Sequence, residues 1–136
     1  MPGMEAASRY ARLRRQEALA PKLLYAVDAR LTPGSPVTDV AALAAAAVAA
    51  GRGHVLDTSQ VTFPNGAVTL VLILAESHLS VHTWPEEDLI AIDLFSCGAI
   101  DGEAVISALA RSLRLEAVSV RRLPRGPRPD GAGQAG

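Results

Sequence analysis

A chain of 136 residues is the size of one ordinary domain and can bury about two-thirds of the surface its unfolded form exposes, so one compact core is expected. Thirteen basic against fourteen acidic side chains leave a formal charge of −1, a balance that argues against nucleic acid or an anionic membrane as partner and favours a small ligand. Aromatics are only 4% of the chain, so the core has to be built from Leu, Val, Ile and Ala, and no apolar run approaches the roughly 20 residues that span a bilayer.

The start of the chain carries Arg9, Arg12, Arg14 and Arg15 without the apolar run and cleavage site of a secretory signal, which predicts a cytoplasmic location. Glu5 to Ala20, rich in Ala, Arg, Leu and Glu, predicts a helical extension over residues 1–20 that ends before Pro21. Lys22 to Asp28 has the length and loose alternation of a strand, and Thr32-Pro33-Gly34-Ser35-Pro36 is loop chemistry. Thr38 or Asp39 is placed to cap an alanine-rich helix that runs to about Ala50 and stops at Gly51.

His54 to Thr62 has strand character, Pro64-Asn65-Gly66 is a turn, and the apolar run Ala67 to Ala75 reads as a buried strand. His78 to Trp84 and Leu89 to Phe95 add two more strands around the Pro85-Glu86-Glu87-Asp88 corner, which suggests a meander. Asp101 is placed to cap a last helix reaching about Leu113, and Glu116 to Leu123 alternates as a closing strand. From Pro124 to Gly136 the composition is that of a disordered tail.

Consecutive strands joined by short turns pair antiparallel, and two helices can cover only one face of such a sheet. The expected fold is therefore α+β, a two-layer α/β sandwich of a mainly antiparallel sheet with helices on one face, occupying residues 21–123. Its other face would carry apolar strand residues and has to meet water or a partner, which motivates a dimer.

Polar, titratable and aromatic residues crowd the stretch from Glu76 to Glu86, directly after the buried strand. His82, Trp84 and Glu86 share one parity, Leu79 and Val81 the other, so an extended segment would present the first set away from the core. Ser77 falls on the opposite parity from His82, so either a bulge or turn intervenes near Ser77 or the two act at a distance. Taken singly, Ser77 reads as a strand-end serine, His82 as a structural histidine and Phe63 and Trp84 as core or interface aromatics. Glu86 reads singly as a solvated turn acid. Cys97, the only cysteine, forms no internal disulfide and is either a small core residue or a reactive thiol. His78 and His82 have a spacing that pairs metal ligands only on a helix, so no metal site is expected.

The run Glu76-Ser77-His78-Leu79-Ser80-Val81-His82-Thr83-Trp84-Pro85-Glu86, followed by Asp93-Leu94-Phe95-Ser96-Cys97-Gly98, resembles the processing and active site of the short prokaryotic S-adenosylmethionine decarboxylases. Upstream, Phe63 stands where the family has a ligand-stacking aromatic and Thr69 where it has a serine that supports processing. The chain departs from the family pattern at Gly66, displaced by one position, and at Leu70, where a glycine is expected. The family's His- and Glu-bearing first strand is not evident in Lys22 to Asp28.

The resemblance implies self-cleavage between Glu76 and Ser77. The Ser77 hydroxyl attacks the Glu76 carbonyl and turns amide into ester, and β-elimination then releases Glu76 as a carboxyl terminus. The remaining dehydroalanine hydrolyses to a pyruvoyl group and ammonia. That covalent cofactor is an electrophilic ketone that can condense with a primary amine of a small-molecule substrate and accept the electrons left by departing carbon dioxide. By resemblance His82 assists the elimination, Cys97 protonates the substrate α-carbon, Thr69 supports the ester, and Phe63, Trp84 and Glu86 contact the ligand. The implied activity is decarboxylation of S-adenosylmethionine for spermidine synthesis by a homodimer of cleaved pairs, with sites shared between protomers as one option. Two alternatives stand beside it: a pyruvoyl-dependent ornithine or arginine decarboxylase, and a non-catalytic homologue.

Overall fold

The computed structural model describes residues 21–127; the helix expected over 1–20 and the tail beyond 127 lie outside the described residues. In chain order the elements are β1 (Lys22–Arg30), α1 (Val40–Ala50), β2 (Val55–Thr62), β3 (Val68–Leu74), β4 (Ser77–Trp84), β5 (Leu89–Cys97), α2 (Gly102–Ser112) and β6 (Glu116–Arg125). Short 3-10 turns precede α1 at Val37–Asp39 and β5 at Pro85–Glu87. The strands form one sheet in the order β2-β3-β4-β5-β1-β6, with every neighbouring pair antiparallel. The expected meander is β2 to β5, and β1 lies between β5 and β6.

One face of this sheet is dry. Leu70, Val81, Ile92 and Val27 lie side by side across four strands, because the registers pair Leu70 with Val81, Val81 with Ile92 and Ile92 with Val27. Each is buried, as are their neighbours two residues along, and α1 and α2 close over them through Val40, Ala44, Ala47, Val48, Val105, Ile106 and Leu109. The two-layer α+β sandwich expected from the element order is the observed fold. Asp101 caps α2 as expected, its carboxylate accepting from the Ala104 N–H at 3.1 Å. Asp39 occupies the N-cap of α1 but makes no side-chain cap bond, because the 3-10 turn before it already leads the chain into the helix.

The run Ala67 to Ala75, expected as a buried strand, is within β3 (Val68–Leu74) buried on alternate residues only. Val68, Leu70, Leu72 and Leu74 face the helices, whereas Ile73 is 46% exposed on the far face. Continuous apolar strands normally belong to sheets covered on both sides. Here the helices cover one. β6 also runs two residues beyond its expected end, pairing Pro124 with Leu23 and Arg125 with Lys22. Proline is tolerated there because β6 is an edge strand.

The alanines of α1 let it approach α2 closely at Gly51. The Asp101 N–H donates to the Gly51 carbonyl at 2.8 Å, and a Cβ on Gly51 would meet the Asp101 carbonyl oxygen at 2.6 Å and also strike Val105. Gly51 has an ordinary φ of −91°, so the demand is for space. Gly51→Ala is expected to lower stability by about 1–3 kcal/mol, read as a fall in the chemical-denaturation midpoint; an unchanged midpoint would contradict this packing.

Candidate active site

The hairpin between β3 and β4 turns in two residues, Ala75 and Glu76, with Leu74 opposite Ser77. Two-residue hairpins usually place positive φ inside the loop. Here neither loop residue has one, and it falls instead on Ser77, at φ 132°. This is glycine territory, as at the bulge position that follows a type I turn, and a side chain held there costs of order 1–3 kcal/mol. The β3–β4 register nonetheless runs unbroken from Ser77 to His82, so no bulge brings these two residues of opposite parity together.

Glu76 is 1% exposed although it carries a carboxyl group. Its Oε1 accepts from the His54 backbone N–H at 3.0 Å, and its Oε2 lies 2.7 Å from His54 Nδ1. Its own carbonyl oxygen accepts from the Cys97 thiol at 3.4 Å. Register explains the last contact. β4 and β5 pair His78 with Phe95, and two further steps along the same antiparallel ladder bring Glu76 opposite Cys97. Of the two readings of Cys97, the structure gives a buried thiol that touches the chain at the Glu76–Ser77 junction.

A second cluster sits at the far end of β4. Thr69 on β3 is directly across from His82, with Oγ1 and Nδ1 3.5 Å apart. His82 and Trp84 follow one another on the outer face with ring centroids 6.2 Å apart. A surface cavity of about 360 Å³ is lined by Phe63, Asn65, Thr69, His82, Trp84 and Glu86, among others. Phe63 and Trp84 are exposed at 46% and 39%. β4 ends at Trp84, so Glu86 reaches this cavity from the 3-10 turn and not by strand parity.

Asn65 is a residue that sequence reading left as part of a turn. Its Oδ1 accepts from the Ala67 N–H at 3.0 Å, and its Nδ2 donates to Glu86 Oε2 at 3.0 Å, tying the turn to the cavity's acid. The buried Thr83 hydroxyl accepts from the Val68 N–H at 2.9 Å and closes the floor of the cavity. His54 was likewise missed. Counting back from the Pro64-Asn65-Gly66 turn along the β2–β3 ladder would have brought it close to Glu76, short of a register shift between Val55 and Asp57.

The expected residues therefore fall into two groups. Glu76, Ser77 and Cys97 meet at one end of β4, and Phe63, Thr69, His82, Trp84 and Glu86 meet at the other. Five residues at roughly 3.4 Å each separate Ser77 from His82 by about 17 Å along the strand. Among the described residues no group of three His, Cys, Asp or Glu side chains is gathered as a metal site, and His78 stacks on Phe95 with centroids 6.0 Å apart.

Residues 34–126 match the family model described as S-adenosylmethionine decarboxylase. The chain belongs to the S-adenosylmethionine decarboxylase family. It is 31% identical over 104 residues to the S-adenosylmethionine decarboxylase proenzyme of Picrophilus torridus, a match covering 76% of this chain and 78% of that one. To the S-adenosylmethionine decarboxylase proenzyme 2 of Bacillus cereus it is 39% identical over 74 residues, 54% of this chain. The chain spans about 60% of the length of that curated relative. The crystal structure of the adenosylmethionine decarboxylase from Aquifex aeolicus superposes with a TM-score of 0.70 at 24% identity, covering 85% of this chain and 98% of the other, and so shares the fold. Among the described residues no helix is long and apolar enough to cross a membrane.

The strain at Ser77 is open to direct measurement. Ser77→Gly and Ser77→Ala both delete the hydroxyl, but only glycine relaxes at φ 132°. The glycine variant is expected to be the more stable by about 1 kcal/mol in chemical denaturation, and equal midpoints would show that Ser77 carries no strain.

Proposed function

We propose that this chain is a self-processing, pyruvoyl-dependent S-adenosylmethionine decarboxylase that cleaves itself between Glu76 and Ser77. The observation that carries the reading is the junction itself: the Glu76 carbonyl rests on the Cys97 thiol at 3.4 Å while the next residue, Ser77, is held at φ 132°. A thiol donor on that oxygen stabilises the negative charge that develops there when the Ser77 hydroxyl attacks the carbonyl carbon. Breaking the Glu76–Ser77 bond releases the backbone strain, so the strain favours the direction of cleavage.

The pyruvoyl group formed from Ser77 would supply an electron-accepting carbonyl beside Cys97. Cys97 is then the nearest proton donor in its own chain for the substrate α-carbon. Thr69 and His82 form the second half of the machinery, the histidine as proton carrier and the threonine as its hydrogen-bond partner. At about 17 Å along β4, His82 cannot serve the Ser77 of its own chain, so we assign it to the Ser77 of a second copy. A two-fold pairing of the outer sheet faces would cover the apolar residues the helices leave open, including Ile73 and Leu123. Each of the two sites would then combine Ser77 and Cys97 of one chain with Thr69, His82 and the cavity of the other.

The cavity favours S-adenosylmethionine over a smaller amino acid. At about 360 Å³ it is in the range that holds a drug-sized ligand, and Phe63 and Trp84 offer flat apolar surface for a purine while Glu86 offers an acceptor for ribose hydroxyls. Ornithine or arginine would use neither feature.

Intact-mass measurement tests the cleavage. The expected result is two fragments of 76 and 60 residues from the 136-residue chain, the second lacking a free N-terminal amine. A single species of 14.2 kDa would end the self-processing reading, and a Ser77→Ala chain is expected to stay whole. With the cleaved protein, carbon dioxide release from S-adenosylmethionine is expected to exceed release from ornithine or arginine by at least about 100-fold; the reverse order would reassign the substrate.

A further inference from the structure

The geometry points to His54 as a positioning residue for the cleavage step, a role that rests on the self-processing reading above. His54 stands just before β2, outside both clusters, yet it holds the residue whose carbonyl would be attacked at two points and the residue before it at a third. Its backbone N–H donates to Glu76 Oε1 at 3.0 Å, its ring Nδ1 meets Glu76 Oε2 at 2.7 Å, and its carbonyl accepts from the Ala75 N–H at 2.9 Å. The Glu76 side chain is only 2% exposed while the imidazole is 41% exposed, so the histidine acts as a lid over a buried carboxylate.

A carboxylate in that position needs donors on its oxygens, because an unpaired buried charge is strongly destabilising. An ionised carboxylate accepts only, so the 2.7 Å contact calls for the proton on Nδ1. With both oxygens pinned, the Glu76 side chain cannot swing and its peptide plane cannot rotate freely. The carbonyl oxygen therefore stays on the Cys97 thiol and its carbon stays presented to the Ser77 hydroxyl. Reactions that depend on such placement lose rate steeply when the reacting atoms shift by about 1 Å. The same clamp would keep Glu76 docked as a new C-terminus after the bond has broken.

The test is the rate of cleavage of freshly made full-length chain in a cell-free translation pulse–chase, followed as conversion of intact protein into its two fragments. His54→Ala keeps the two backbone bonds and deletes the ring contact; His54→Asn places an amide N–H where Nδ1 stood. Cleavage is expected to slow by about tenfold or more in His54→Ala and to stay within about threefold of wild type in His54→Asn. A merely structural role predicts lowered denaturation midpoints without separating the two variants in cleavage rate. Wild-type speed in His54→Ala, or equal slowing in both variants, would overturn the proposal. If His54→Ala does not fold, Glu76→Gln against Glu76→Ala repeats the contrast from the other partner, and equal rates there overturn it as well. A wild-type chain that is never cut would sink the self-processing reading itself, and the clamp with it, a result distinct from either of those.

Discussion

The antiparallel register of β3, β4 and β5 is the constraint on which the rest of the molecule depends. Because facing residues in such a ladder keep a fixed pairing, a single alignment brings Leu79 opposite Leu94 in the core, His82 opposite Thr69 on the outer face, and Glu76 within reach of Cys97 at the hairpin end. A slip of one residue would send every one of these side chains to the other face. The core leucines and valines that bury against α1 and α2 therefore also hold the chemistry in place. Their burial is the free energy that tolerates a serine at φ 132°.

Two consequences follow from covering the sheet on one side only. The helices seal the even residues of β3 and the odd residues of β4, leaving Thr69, Ile73, His78 and His82 on the opposite surface. Thr69 and His82 on that surface are proposed working groups, and its apolar members are what a second copy would bury. In this account the separation of Ser77 from His82 along β4 is not a defect of the site. It is the reason the site is proposed to need two chains.

How much of this could be read from residues alone depends on which signal each feature leaves. The strands and both helices announced themselves by apolar period and by Gly51 and Asp101, and the short loops between β2 and β5 made antiparallel pairing the natural outcome. The motif from Glu76 to Cys97 singled out residues that the fold gathers at two places, but not their partition, since spacing along a chain does not say which end of a strand a group occupies. Parity set Ser77 and His82 on opposite faces, and the unbroken register of β4 keeps the two apart. Asn65 was out of reach, because its tie to Glu86 is a long-range hydrogen bond that no local pattern encodes. His54 lay within reach only of a ladder count from the Pro64-Asn65-Gly66 turn, and a register shift between Val55 and Asp57 blurs that count. The apolar run of β3 does not itself say that one face is open, but two helices for six strands did.

The sharpest test of a shared, self-cleaving site is to pair two inactive chains. His82→Ala alone and Ser77→Ala alone are each expected to remain whole. When the two are co-expressed, a mixed dimer holds one complete site, made of the Ser77 of the first chain and the His82 of the second, and the His82→Ala chain is expected to be cut into its 76- and 60-residue pieces. If that chain stays intact in the mixture, or is cut without any partner, the two clusters do not meet across a pair of chains and the account is wrong.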